Sequence, residues 1–204
     1  MRPSFLAIVG STLVLLAWGA LPCQGDVISD DLSEGYALLS GCVDFDAPTW
    51  GARVDYAVYA PNQYPGEHED KSDSYIYAYQ IFNDATSEVP LSSFSVGLDA
   101  GSGAANPGDD GSYGVAGGEA PLLAYLVGDP PSSVSWAGFD TSPEEYSTVL
   151  LYSSPYGYQW KSATLADGGE GVTKQLPSPV PEPLTTSLLA AGGMLALLSR
   201  RRRR

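Results

Sequence analysis

The feature that most constrains this chain is a two-residue rhythm of apolar side chains. In "DSYIYAYQIFND", Tyr75, Tyr77, Tyr79 and Ile81 alternate with Ile76, Ala78, Gln80 and Phe82. Residues two apart share one face of a strand, so this stretch has two largely apolar faces and needs cover on both. "RVDYAVYAP" alternates in the same way, with Val54, Tyr56 and Val58 opposite Asp55, Ala57 and Tyr59. Phe94, Val96 and Leu98 line one side of "SFSVGLD". Further strands are expected in "PLLAYLVGD", "SSVSWAGFD", "YSTVLLYSS" and "YQWKSATLADGG", with earlier ones over 36–39 and 43–45. Turn-forming residues separate them: Pro61-Asn62, Asn83-Asp84, Asp129-Pro130-Pro131, Pro155-Tyr156-Gly157 and Asp167-Gly168-Gly169. Away from the two ends of the chain, no stretch shows helical periodicity. Seven or eight short strands predict an all-β fold, an antiparallel β-sandwich of immunoglobulin-like outline. The 13 tyrosines suit half-buried sheet positions, where an apolar ring can keep a polar tip. No repeat is evident, which excludes a solenoid or propeller.

Two stretches interrupt the rhythm. Residues 101–118 are rich in Gly, Ala and Asp and are read as a long mobile loop. Residues 168–183 hold Pro177, Pro179, Pro181 and Pro183 and are read as a loop that stiffens into a stalk.

Charge narrows the partners. The chain of 204 residues has 24 acidic and 10 basic residues. Most of the basic residues lie at the ends, leaving only Arg53, Lys71, Lys161 and Lys174 between them. So acidic a middle repels phosphate backbones, and nucleic acid is excluded as a partner. The N-terminus has Arg2, an apolar run from Phe5 to Trp18, and small residues up to Gly25, the pattern of an export signal over residues 1–25. Cleavage after Gly25 would remove Cys23 and leave Cys42 as an odd thiol; earlier cleavage would permit one bridge.

Candidate chemistry is sparse. His68 stands among Glu67, Glu69, Asp70 and Asp73, but neighbouring loop residues cannot all turn toward one ion. A solvated acidic loop is expected there, and no metal site. "NPGDDGS" lacks the oxygen-ligand alternation of a calcium loop, so nothing beyond weak surface calcium is expected and no cofactor is implied. A hydrolase would have to use His68 or a pair of carboxylates, and no nucleophile elbow accompanies them. No catalytic residue is assigned, and the chain is read as non-enzymatic. Trp50, Trp136, Trp160, Tyr156 and Tyr158 are candidates for stacking on sugars, with Trp136 and Trp160 expected in the core.

The chain ends "PSPVPEPLTTSLLAAGGMLALLSRRRRR". Residues 184–199 carry no charge and would span roughly 24 Å as a helix, short of the ~30 Å hydrocarbon layer. The arginines that follow predict a cytoplasmic C-terminus with the acidic domain outside. Pro181, Glu182 and Pro183, then the apolar run, then Arg200, Arg201, Arg202, Arg203 and Arg204 resemble the PEP-CTERM sorting domain of bacterial exported proteins. The resemblance implies recognition of the Pro-Glu-Pro motif by a membrane-embedded exosortase, with the arginines as the membrane-retention signal. It further implies delivery to the cell surface or extracellular matrix, where polysaccharide is a potential partner. The strand segments also resemble the β-rich ectodomains found ahead of such tails, which brings no activity. The expected organisation is a signal over 1–25, an ectodomain over 26–176, a stalk with the motif over 177–183, a transmembrane helix over 184–199 and the arginine cluster over 200–204. A glycan- or calcium-binding matrix module is the alternative function.

Overall fold

The computed structural model describes residues 36–181, and every regular element in that span is a strand. β1 (Ala37–Asp46), β2 (Gly51–Tyr59), β3 (Tyr75–Asn83), β8 (Val149–Ser154) and β5 (Ala105–Asp110) form one five-stranded sheet in the order β1-β2-β3-β8-β5. The second sheet runs β10-β9-β4-β7-β6, from β10 (Gly171–Pro179), β9 (Tyr158–Ala166), β4 (Leu91–Gly97), β7 (Ser133–Thr141) and β6 (Leu123–Val127). The pairings between these strands are antiparallel. The expected all-β class stands, with ten strands in place of seven or eight.

The alternation of the sequence becomes two hydrophobic clusters. Val54, Tyr56, Val58, Tyr77, Tyr79 and Ile81 meet Phe94, Val96, Trp136 and Leu165 of the other sheet in a shared core, so the two sheets pack as sandwich-like layers. The opposite parity, Ala57, Tyr59, Ile76 and Ala78, forms a second cluster on the outer face of the first sheet with Tyr64, Val149 and Leu151. Polar tips tie the layers together across the core. The Tyr79 hydroxyl donates to the Pro177 carbonyl, and Trp136 Nε1–H donates to the Gly108 carbonyl at 2.9 Å. Tyr77 and Tyr152 stack with ring centroids 4.9 Å apart.

Both stretches expected to be irregular contain strands. β5 lies within 101–118, its register broken between Ala105 and Gly108, with Asn106 in the left-handed region at φ 49°. β10 occupies most of the expected stalk, and Pro177 and Pro179 are buried in it. The reason is geometric. The Val180 N–H donates to the Gly157 carbonyl at 2.8 Å, which places the hydrogen-bonding positions of β10 at even numbers near its end. Pro177 and Pro179 take the alternate positions, where an N–H would point away from β9. On an edge strand this costs no ladder bond.

Both ends of the described chain leave the fold at the same end. Ala37 opens β1 opposite Tyr59, Tyr59 faces Ile76, and Tyr75 faces Ser154 at the close of β8. A short turn then leads to Tyr158, whose partner Pro179 closes β10. Cys42 in β1 is disulfide-bonded. The chain's other cysteine, Cys23, lies outside the described residues. The thiol expectation concerns the chain after cleavage, and the expected cleavage site lies outside the described residues. The signal segment over 1–25 and the transmembrane segment over 184–199 also lie outside the described residues.

Candidate functional site

The residues expected to form a sorting motif follow a firmly held strand. Leu176, Pro177, Ser178 and Pro179 are all buried, and Ser178 Oγ donates to the Gly97 carbonyl at 2.7 Å. Gln159 Nε2 donates to the Pro179 carbonyl at 2.9 Å. Two residues later, Pro181 is exposed. Glu182, Pro183 and the arginines at 200–204 lie outside the described residues.

Beside this exit, β9 presents Tyr158 and Trp160 to solvent, 39% and 48% exposed. Trp160 meets Tyr56 edge-on at 5.7 Å. Lys161 and Gln159, at the alternate positions of β9, reach the Asp99 carboxylate at 2.6 and 2.9 Å. The Lys161 ammonium, helped by Gln159, holds the Asp99 carboxyl below the usual carboxylate range. The exposure of Trp160 corrects the expectation that it is core. Trp136 is fully buried as expected, and Trp50 is 2% exposed, which removes it as a stacking platform. Tyr156 is half-buried, and its carbonyl accepts from the Tyr77 hydroxyl at 3.0 Å.

The acidic loop around His68 is docked onto the first sheet. His68 Nε2–H donates to the Asn106 carbonyl at 3.0 Å, and Nδ1 accepts the Asp70 N–H at 3.2 Å. Asp70 accepts from Ser153 Oγ at 2.7 Å and Asn106 Nδ2 at 2.6 Å, and these bonds, Ser153 first, lower its pKa. His68 thus clips the loop to β5 through Nε2 and braces the loop itself through Nδ1. Asp110, from "NPGDDGS", is similarly committed. Its Oδ2 accepts from the Tyr64 hydroxyl and the Glu67 N–H, each at 3.0 Å, and Oδ1 accepts from the Ser112 N–H and hydroxyl. Burial pushes its pKa up, but the Ser112 bonds, with those of Glu67 and Tyr64, outweigh it and the pKa falls. These bonds use the lone pairs that a cation would need. Among the described residues, no group of three or more His, Cys, Asp or Glu is arranged to hold a metal ion.

One ionisable pair escaped the sequence reading. Asp55 on β2 is fully buried, and its Oδ1 lies 2.9 Å from Arg53 Nε. The contact is close, but its angles do not make a hydrogen bond, so both Asp55 oxygens lack a directed donor. Burial therefore dominates over Arg53, and the Asp55 pKa rises to about 6. Arg53 in turn lies 4.8 Å over the Phe82 ring. Nearby, Asp84 is raised by burial and by Asp44 and Asp46. Nothing in the alternating strand itself marks Asp55 as buried; the strands beside β2 and what lies over them decide it.

Compared with known protein families, with curated proteins and with solved structures, the chain matches none.

Proposed function

We propose that this chain is an exported, non-enzymatic protein of the cell surface or extracellular matrix, delivered there through a C-terminal PEP-CTERM signal. In this reading an export signal covers 1–25 and a sandwich ectodomain of immunoglobulin-like outline follows. Pro181, Glu182 and Pro183 form the motif read by an exosortase. The helix over 184–199 holds the precursor in the membrane, with Arg200, Arg201, Arg202, Arg203 and Arg204 on the cytoplasmic side. One observation carries the most weight: the motif opens at Pro181, the first exposed residue beyond the buried end of β10. The last strand thus ends about where recognition must begin. Departure of both chain ends from one end of the fold also suits a precursor tethered by its signal and its tail.

Replacing Pro181, Glu182 and Pro183 by alanine is expected to leave the tail uncut and the protein in the membrane fraction. Processing that continues unchanged would overturn the sorting reading. The intact mass and thiol count of the exported protein locate the other cleavage. A mass that lacks Cys23 is expected for cleavage after Gly25; a mass that keeps it would move the cleavage upstream.

A second reading, a glycan-binding matrix module, is favoured by the exposure of Trp160 and Tyr158. It is tested by titrating the protein with polysaccharide, with and without chelator; absence of binding would dispose of it.

A further inference from the structure

The large apolar side chains left exposed among the described residues fall into two groups. Leu122, Leu123, Tyr125 and Val127 belong to β6 and the residue before it. Tyr36, Leu38, Tyr158 and Trp160 come from the start of β1 and the start of β9. Those two starts lie at the end of the fold from which the chain leaves: Ala37 opens β1, and Tyr158 faces Pro179, the last residue of β10. The edge strands β1 and β10 lie against each other, and Trp160 leans on Tyr56 of β2 at 5.7 Å while staying half exposed. The second group therefore borders the seam between β1 and β10.

The length of chain beyond this end decides what it meets. Only five peptide units separate Pro179 from Leu184, where the uncharged run of residues 184–199 begins. Fully extended, they reach at most about 18 Å. The headgroup layer of a bilayer occupies about 6 Å of that. With the run in the hydrocarbon, the start of β9 is thus held within about 12 Å of the headgroups, and a lean of the domain closes the gap.

Charge sets the direction of the lean. The loop over 60–74 lies at the same end and holds Glu67, Glu69, Asp70 and Asp73. It is fastened on the opposite side of the first sheet, where Asp70 accepts from Ser153 of β8 and His68 donates to Asn106 of β5. Asp129, in the turn between β6 and β7, stands at the opposite edge of the second sheet. Near the seam, Asp99 is paired with Lys161 at 2.6 Å. Leaning on the seam lowers the rings toward lipid and lifts the unpaired acids away from its phosphates.

We propose that the domain of the precursor rests on the surface of a zwitterionic bilayer, with Trp160, Tyr158, Tyr36 and Leu38 entering the headgroup layer. The proposal rests on the reading of residues 184–199 as a membrane helix. Amphipathic rings favour that layer, with the apolar body inward and the polar edge in water. Leu38 beside them has no stacking face for a sugar, so lipid suits the group better than glycan does. Docking holds Pro181 at the membrane surface, where a membrane-embedded enzyme would read it.

The test is tryptophan fluorescence of the full-length chain reconstituted in phosphatidylcholine vesicles, with lipids brominated either close to the headgroup or near the chain end. Trp50 and Trp136 are buried, and Trp160→Phe isolates the share of the signal that belongs to Trp160. That share should be quenched by bromine close to the headgroup, and less by bromine near the chain end. Tyr158→Ser, which keeps the reporter, should reduce the quenching, as should Leu38→Ser. A far-ultraviolet spectrum matching wild type confirms that each variant is folded. Phosphatidylglycerol in place of phosphatidylcholine should weaken the quenching at low salt; unchanged quenching there overturns the charge-directed lean. Quenching that persists in Trp160→Phe overturns the proposal. So does a Trp160 signal that ignores lipid and responds to added neutral polysaccharide or to protein concentration, which assigns the rings to glycan or to a second copy. If the chain floats with the vesicles and Trp160 is not quenched, docking alone is wrong and the membrane-helix reading stands. If the chain does not float with them, that reading fails and docking falls with it.

Discussion

The two sheets treat their outer faces differently. The first sheet covers its own: the segment around Tyr64 and the segment around Tyr113 fold over Tyr59, Ile76 and Ala78, and hydrogen bonds through Asp110, Asp70 and His68 fasten them. The second sheet leaves its outer face bare, with Leu123, Tyr125 and Val127 exposed, and Trp160, packed beside Tyr56, is half exposed as well. In the first sheet, polar chemistry serves to hold loops on a surface and is used up in doing so. In the second, hydroxyls and rings face solvent. Clusters of acidic residues attract attention as sites, yet here they are the fastenings, and the quiet serine-rich strands are the available surface.

Several substitutions would break that contrast or sharpen it. The largest effect should come from Trp136→Ala, which empties the shared core and leaves the Gly108 carbonyl without its donor; about 3–5 kcal/mol of stability should be lost in urea unfolding. Trp160→Ala, on the same sheet but half exposed beside Tyr56, should cost a small fraction of that. Equal losses would mean that Trp160 is as structural as Trp136.

Next comes pH. The Asp55 carboxyl has a folded pKa of about 6 against an ordinary value of 3.8, so the folded state holds its proton more tightly than the unfolded state does. Its contribution is fully present below about pH 4 and is lost as pH rises through about 6, roughly 3 kcal/mol in all. Urea midpoints measured across this window should therefore fall with rising pH, and Asp55→Asn should flatten the slope. Parallel curves for the two proteins would show that Asp55 is not the responsible group.

Asp110→Ala should cost about 1–3 kcal/mol, since it strands the Tyr64 hydroxyl and the Glu67 N–H. Amide exchange in residues 62–74 should speed up while exchange in β4 and β9 stays slow. Uniform acceleration would mean that the fastened loop is part of the global fold. The smallest effect is expected for Tyr125→Ser on the bare face, within about 0.5 kcal/mol of wild type. A larger loss would show that this face supports the fold.

How legible all this was varied with the type of signal. The faces of β2, β3 and β4 could be read directly, because apolar residues at a period of two leave no other way to bury them. β10 was hidden by its prolines, which suggest a stalk when counted by number. Their spacing held the better clue: Pro177, Pro179 and Pro181 recur every second residue, as edge-strand positions with outward N–H groups allow. β5 was hidden by Gly, Asn and Asp, which look like a loop because they pack little, and it forms only as the edge strand beside β8. Trp160 could not be told from Trp136 by sequence. Both stand in alternating strands of the same sheet, and which parity faces inward depends on the partner layer.

By itself, then, the sequence determined the β character, the doubly apolar strands, the acidity of the middle of the chain, and the charge-free run near its end with its proline-rich head. These are properties of local period and composition, and they survive in any arrangement of the strands. Only the tertiary structure decided which faces are covered, that Asp55 is buried beside Arg53, that the stalk is a strand, and that small hydroxyl residues from separate segments align in rows. Those outcomes depend on register and on which sheet lies opposite, quantities that arise when distant segments meet and that no single stretch of chain contains.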